Sequence, residues 1–237
     1  MEYLYENFTF PPDQSFTIRS QFIELKKYAE FRCHVNYELT SIENCFGKRF
    51  IGDNIEEFKD SDLILIGSYL PHCWQYYKAV DPTIQPHATI IHFFPEFMGK
   101  ELLNKPEASH LQELFRNATR GIRFSGATLT EAKMLMQQML FTKGLHRVSL
   151  MLRLLDVLAS SKSYKILATP GFNSVENSAY ADKINLISEY IFKNFQNEIS
   201  LPKVASLIHM TPAAFCRFFK LRTNRTLIDF VKEVRIG

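Results

Sequence analysis

The spacing of hydrophobic and polar positions changes character once along this chain. From Phe16 to Phe97, β-branched and aromatic residues crowd together, broken by turn signals at Phe46-Gly47-Lys48 and Ile51-Gly52-Asp53-Asn54. That rhythm predicts successive strands in an antiparallel barrel or sandwich. Beyond Pro106 the apolar residues recur at helical spacing: Leu111, Leu114 and Phe115, then Leu129 to Phe141, then Leu145 to Ala159. Within the last of these, Leu145, Val148, Met151, Leu152, Leu155 and Leu158 form one stripe, and Leu150, Leu154 and Val157 form a second. A single barrel face cannot cover both. Either an internal helix pair buries them or the second stripe is a dimer interface, and the pattern leaves both open.

The stretch from Thr169 to Ala179 is rich in turn formers and poor in periodic apolar residues, which marks a linker. Past it, Ile184, Ile187, Ile191 and Phe195 trace an amphipathic helix. Leu201, Val204, Ala205 and Ile208 trace a short one behind Ser200 as N-cap, with Pro202 in the first turn. His209 and Met210 make a tight connection to a third helix, N-capped by Thr211, with Pro212 at its first position. This is a helix-turn-helix rhythm. Along the third helix Phe215, Phe218 and Phe219 share one side, and the other centres on Ala213, Arg217 and Lys220 with Cys216 flanking.

Composition adds two constraints. With 237 residues, 46% hydrophobic and 22% charged, the chain can fill a real core. A formal charge of +3 is too mild for wholesale coating of nucleic acid. Any basic function must be local, and between Thr211 and Thr226 stand Arg217, Lys220, Arg222 and Arg225 with no acid among them. Cys33, Cys45, Cys73 and Cys216 show no paired spacing, which fits a reducing cytoplasm. The N-terminus lacks the basic start of a signal peptide, and no apolar run reaches the ~18 residues a membrane span needs, so a cytoplasmic chain without membrane contact is expected.

The stretch YIFKNFQNEISLPKVASLIHMTPAAFCRFFKLRTNRTLIDFVKEVRI resembles the DNA-binding domain of AraC-type transcription regulators: its entry helix, its first helix-turn-helix, the Phe-Lys after the recognition helix and the Arg-Ile of the linker helix. The resemblance implies double-stranded DNA as partner. It places Ala213, Cys216 and Arg217 at base-reading positions and Thr211 and Lys220 at backbone-contacting ones. Asn224 stands where the family has glycine, a position Asn tolerates. The family's second helix-turn-helix follows the linker helix, and the expectation is that this chain, ending at Gly237, carries only the first.

In FRCHVNYELTSI, strand alternation sends Arg32, His34, Asn36 and Glu38 to one face, without saying which face is inside. RCHVNYELTSIENCFG and DLILIGSYLPHCW resemble the two motifs of the cupin barrel found in AraC-type sensors, and RGIRFSG at Arg120 to Gly126 extends the likeness. Metal-binding cupins hold an ion with three histidines and a glutamate. Here Arg32 replaces one histidine, beside His34, Glu38 and His72, and its fixed charge would repel a cation. Three outcomes stay open: a two-His-one-carboxylate metal site, an Arg32–Glu38 ion pair that only satisfies a polar interior, and a small-molecule pocket. Arg32, His34, Asn36, Glu38 and His72 would line that pocket and Trp74 would stack on a ring.

The expected fold class is α+β: an N-terminal antiparallel β-barrel, cupin-like, with a following helical dimerisation region, then a small, incomplete all-α helix-turn-helix domain. The expected organisation is an effector-binding and dimerisation domain over 1–168, a linker over 169–180 and a DNA-binding domain over 181–237. The expected function is a regulator, and not an enzyme, set by a small polar effector such as a carbohydrate. It needs no metal or other cofactor and forms a homodimer through helices within 111–160. The alternative is a metal-dependent cupin enzyme using His34, Glu38 and His72.

Overall fold

The computed structural model describes residues 10–11, 13–25, 32–172, 183, 186–187, 190–191, 194–223 and 226–236, with the main chain alone at 221–223, 233 and 236. Most of the expected linker, together with Ile184, Asn224, Arg225 and the Arg222 side chain, lies outside this set. Antiparallel strands fill the N-terminal half: β1 (Phe16–Phe22), β2 (Tyr37–Ile51), β3 (Asn54–Ile66), β4 (His72–Ala79) and β5 (His87–Phe93). The 15-residue β2 organises them. Its first half pairs with β5, its second half with β4, and β3 runs along both, with a register break between Ile42 and Cys45. Two short strands, β6 (Ile122–Phe124) and β7 (Tyr164–Ile166), extend the edge of β3. The fold is α+β, as the change of period predicts.

The helices between these strands are α1 (Lys100–Leu103), α2 (Ser109–Ala118), α3 (Gly126–Leu140) and α4 (Gly144–Ala159). They cover one face of the sheet because strand alternation presents Leu39, Leu63, Leu65, Ile91 and Phe93 to them as a continuous apolar layer. Leu114, Phe115, Met136, Met139, Met151 and Leu155 complete that core. Leu150 and Leu154 also sit in it, at 8% and 0% exposure. The second stripe of α4 is therefore covered by its own chain, and the dimer interface expected from it is corrected to an internal helix contact. What α4 leaves outside is Leu145, which is 84% exposed, close in sequence to Phe141 at 87%.

The other face of the sheet turns Ile42, Ile64, Ile66, Ala88 and Ile90 into a second buried cluster. One of the charged clusters on this face is centred on Arg49. Arg49, fully buried, reaches both oxygens of Asp62 at 3.1 and 3.0 Å and Glu56 at 2.6 Å, while Arg123 joins Asp62 at 3.2 Å and Lys165 pairs with Glu56. Burial pushes the Asp62 carboxyl up, and the two guanidinium groups offset part of that push. Breaking such a buried set from one side leaves a naked charge, so it holds β2, β3 and β6 in one register.

The C-terminal part is helical: α5 (Leu201–Leu207), α6 (Pro212–Thr223) and α7 (Leu227–Ile236). No helix among the described residues is long and apolar enough to cross a membrane. Truncating a side chain in the core under α4 should cost far more than truncating one outside it. Leu154→Ala is expected to lower unfolding free energy by about 2–5 kcal/mol, against under ~1 kcal/mol for Leu145→Ala, as read from denaturant titration. Equal costs would contradict this assignment of the two positions.

Candidate functional site: a buried histidine–carboxylate cluster and a basic helix face

The barrel site is built around Glu38, the second residue of β2, buried at 4% exposure. Its Oε1 accepts a hydrogen bond from Thr40 Oγ1 at 2.5 Å, and its Oε2 faces three imidazoles. His34 Nε2 is 3.0 Å away, His92 Nε2 3.1 Å and His72 Nε2 3.6 Å. Each imidazole arrives by a different route. Four residues of extended chain would hold His34 about 13 Å from Glu38, so the chain must bend, and it does at Val35–Asn36 before β2 begins. His92 on β5 stands directly opposite Glu38 in the ladder. His72 opens β4 and is fixed by an isolated bridge in which Arg32 N–H donates to His72 O at 3.0 Å and His72 N–H donates to Arg32 O at 2.9 Å.

Proton bookkeeping shows why this cluster differs from an ordinary ion pair. His34 Nδ1 lies 2.8 Å from the Asn36 carbonyl and His72 Nδ1 lies 2.8 Å from the Leu70 carbonyl. A carbonyl only accepts, so both Nδ1 atoms carry the proton, and a neutral ring then presents a bare lone pair at Nε2. Burial lowers the His72 pKa against the pull of Glu38, which keeps that ring neutral. Burial also opposes ionisation of Glu38, but the surrounding His72, His34 and His92 outweigh it and hold the carboxyl well below the usual range. At His72, a lone pair on neutral imidazole therefore faces a carboxylate oxygen, acceptor against acceptor. His72 Nε2 is buried without a hydrogen-bond partner.

That arrangement fits a cation. Donors bound about 2.0–2.2 Å from one ion lie roughly 3.0–3.4 Å from each other. The separations about Glu38 Oε2 fall in or near that range, and the donor atoms of His34, Glu38 and His72 all lie within 4.8 Å of one another. Imidazole nitrogen with carboxylate oxygen suits zinc, iron or nickel, and Nδ1–H bonds to carbonyls are the usual means of orienting such ligands.

Among the residues expected from sequence, the structure thus brings together His34, Glu38 and His72. Trp74 stands beside them, its ring edge-on to His72 at 5.6 Å between centroids. Asn36 is fully buried, its side-chain amide meeting no hydrogen-bond partner. Arg32 serves the site through its main chain. Its charge partly offsets the upward push that burial gives the Cys73 thiol, whereas the groups perturbing Glu38 are the imidazoles. The residue that sequence reasoning missed is His92. In HATIIHFF, alternation sets His92 on the face of Ala88 and Ile90, and that shared parity with barrel-lining positions was the available signal. Two clefts of about 240 and 270 Å³ open elsewhere, one beside the start of α4 and one between α2, α4 and β7, and neither is lined by these residues.

The second candidate site is the outer face of α6. Ser200 caps α5, its hydroxyl accepting from Lys203 N–H at 3.4 Å, and Thr211 caps α6, accepting from Ala214 N–H at 3.3 Å. Between the helices His209 adopts φ 56°, the left-handed step that reverses the chain. Phe215 and Phe219 are buried and stack at 5.4 Å, Phe219 meets Phe230 of α7 edge-on, and Phe218 is half-buried. Anchoring that side presents the other: Thr211, Ala213, Cys216, Arg217 and Lys220 are all exposed. The remaining cysteines, Cys33, Cys45 and Cys73, are buried.

No protein-family model matches the chain. A stretch of 53 residues is 36% identical to the bifunctional transcriptional activator/DNA repair enzyme AdaA of Bacillus subtilis (strain 168); it makes up 22% of this chain and 25% of that protein, so the match spans about a quarter of the relative's length. Among solved structures, ToxT from Vibrio cholerae is 11% identical over 93% of this chain and 99% of its own, at a TM-score of 0.39. The AraC-like transcriptional activator CuxR is 9% identical over 85% of this chain and 66% of its own, at 0.35. These matches stand beside the resemblance to AraC-type regulators that the residues themselves carry.

Proposed function

We propose that this chain is a transcription regulator that binds double-stranded DNA through α5 and α6, and whose grip on DNA depends on the occupant of the Glu38 site. The observation that carries this reading is the two-sided α6: an aromatic side locked into the helical core and an exposed side with Arg217 and Lys220, free of acids from Thr211 to Thr226. A helix so mounted can enter the major groove, with Arg217 suited to a guanine edge and Lys220 to phosphate. Thr211, Ala213 and Cys216 complete the proposed DNA face. The organisation follows the sequence: a sensor over 1–168, a linker over 169–180 and a DNA-binding part over 181–237.

For the barrel we infer a divalent first-row cation at His34, Glu38 and His72, with His92 bonded to the same carboxylate, in place of the sugar-sized metabolite and metal-free pocket that the sequence suggests. Support comes from the acceptor-against-acceptor contact, which a cation relieves. When bound, the ion would supply charge compensation and a tie between β2 and β4. His34 and His72 would offer nitrogen, while Thr40 and His92 would hold the carboxylate of Glu38. A homodimer is also proposed, now through exposed Phe141 and Leu145 rather than through Leu150 and Leu154.

Three measurements check these readings. In fluorescence anisotropy with a duplex selected from a randomised pool, Arg217→Ala should weaken specific binding by ~1–3 kcal/mol and relax one base position. Lys220→Ala should weaken all sequences alike and flatten the salt dependence. Variants that bind like the parent would remove α6 from the interface. By elemental analysis the purified chain should retain near-stoichiometric zinc, iron or nickel, and His34→Ala and His72→Ala should each lose it. A metal-free chain whose melting temperature ignores added Zn(II), Fe(II) and Ni(II) would sink the cation reading. By analytical ultracentrifugation at micromolar concentration, the chain should sediment as a dimer and Leu145→Glu as a monomer; a monomeric parent would end the dimer proposal.

A further inference from the structure

The residues just after the barrel are fastened to it by a dense set of contacts. Thr169 gives both its donors to one carboxylate: its N–H donates to Asp53 Oδ1 at 3.0 Å and its hydroxyl to Asp53 Oδ2 at 2.8 Å. Asp53 is 1% exposed. From the other side Arg120 donates through Nε and Nη2 to the carbonyl of Ala168, at 3.0 and 2.6 Å, and through Nε to that of Thr169 at 3.1 Å. Phe172 then lies over Gly52. A Cβ at Gly52 would come within 2.8 Å of the Phe172 ring, and Gly52 adopts φ +58°, so both the turn and the ring's seat require glycine. Two charged groups, four hydrogen bonds to the main chain and one ring thus fix the exit of the chain toward the DNA-binding part.

The seat of this clamp is the β2–β3 turn at Gly52 and Asp53, and that turn is bonded to the strand end that carries the site. Gly52 N–H donates to Pro71 O at 2.8 Å, one residue before His72, and Ile51 is His72's partner in the ladder. From the imidazole to the Asp53 carboxylate the path runs through His72, Ile51, Gly52 and Asp53 without leaving hydrogen-bonded main chain. His72 is also the imidazole standing farthest from Glu38, at 3.6 Å, with its Nε2 unpartnered. It is the one whose Nε2 has a bond still to make when something binds.

We propose that Asp53, Arg120 and Thr169 form a coupling clamp: displacement of His72 on filling the Glu38 site shifts the Pro71–Gly52 contact and with it the anchorage of residues 168–172, from which the DNA-binding part is suspended. The proposal rests on the cation reading for its trigger, while the clamp itself rests on the geometry above. Because coupling is reciprocal, loosening the clamp must be felt at the site, and filling the site must be felt at the clamp.

Hydrogen–deuterium exchange of the full chain, with cobalt(II) chloride as the added ion, separates the two readings. Cobalt's visible absorption bands report binding at the site, and the exchange rate of the peptide covering 167–172 reports the clamp. In the parent, cobalt is expected to change that rate by about ten-fold or more while the bands develop. In Thr169→Val, which keeps the side-chain shape, and in Asp53→Asn the bands should still develop, with their cobalt affinity shifted, and the exchange of 167–172 should be fast and indifferent to cobalt. Bands without any change of exchange in the parent would overturn the coupling and leave the cation reading intact. If no bands form, His72→Ala decides: faster exchange over 167–172 sustains the coupling and discards the cation, and unchanged exchange overturns both.

Discussion

A single ionised carboxylate buried among three imidazoles dictates much of the barrel's geometry. Glu38 cannot be solvated where it sits, and a buried charge persists only if its surroundings answer it. Thr40 occupies one oxygen, and the other collects His34, His72 and His92. Each of those approaches imposes a structural feature: the bend at Val35–Asn36, the Arg32–His72 bridge, and the register that sets His92 opposite Glu38. The contrast with Arg49 is instructive. That guanidinium is as deeply buried, yet Asp62 and Glu56 answer its charge within the protein and tie the strands together. On the cation reading proposed above, the Glu38 cluster differs in leaving His72 Nε2 for an incoming positive charge to answer.

What the sequence disclosed and what it hid follow from how far apart in the chain the determinants lie. Strand and helix periodicities are local, and the barrel, its helical cover and the helix-turn-helix could be read from them, down to the caps at Ser200 and Thr211. The internal burial of Leu150 and Leu154 could not, because it depends on which helix packs beside α4. Alternation correctly gathered His34 and Glu38 on one side but for the wrong reason: in regular extended chain they would never touch, and a bend joins them. Arg32 was read by its charge, whereas the fold uses its amide and carbonyl. His92 was invisible to motif spacing because its proximity to Glu38 is a fact of cross-strand register, 54 residues away in the chain.

At the C-terminal end the legibility was better because every determinant is close by. A recognition helix needs one apolar side, one polar side and two caps, all of which fit within about fifteen residues. Phe215 and Phe219 set the rotation of α6 about its own axis, and so decide which residues face outward. The contact between Phe219 and Phe230 extends that control to α7. Substitutions on the buried side would therefore change the surface of α6 by turning the helix, and those on the exposed side by changing what it offers.

The distribution of thiols has a practical consequence. Cys33, Cys45 and Cys73 lie inside the barrel, where burial raises Cys45 to about 11 and pushes Cys73 higher still, so at neutral pH neither of those two presents the thiolate that alkylating reagents attack. Cys216 stands exposed on α6, between Ala213 and Arg217. A maleimide dye added to the native, unmutated chain should settle almost entirely there. The fold thus supplies a single-site optical handle on the exposed face of α6, without the cysteine-free background that site-directed labelling ordinarily demands.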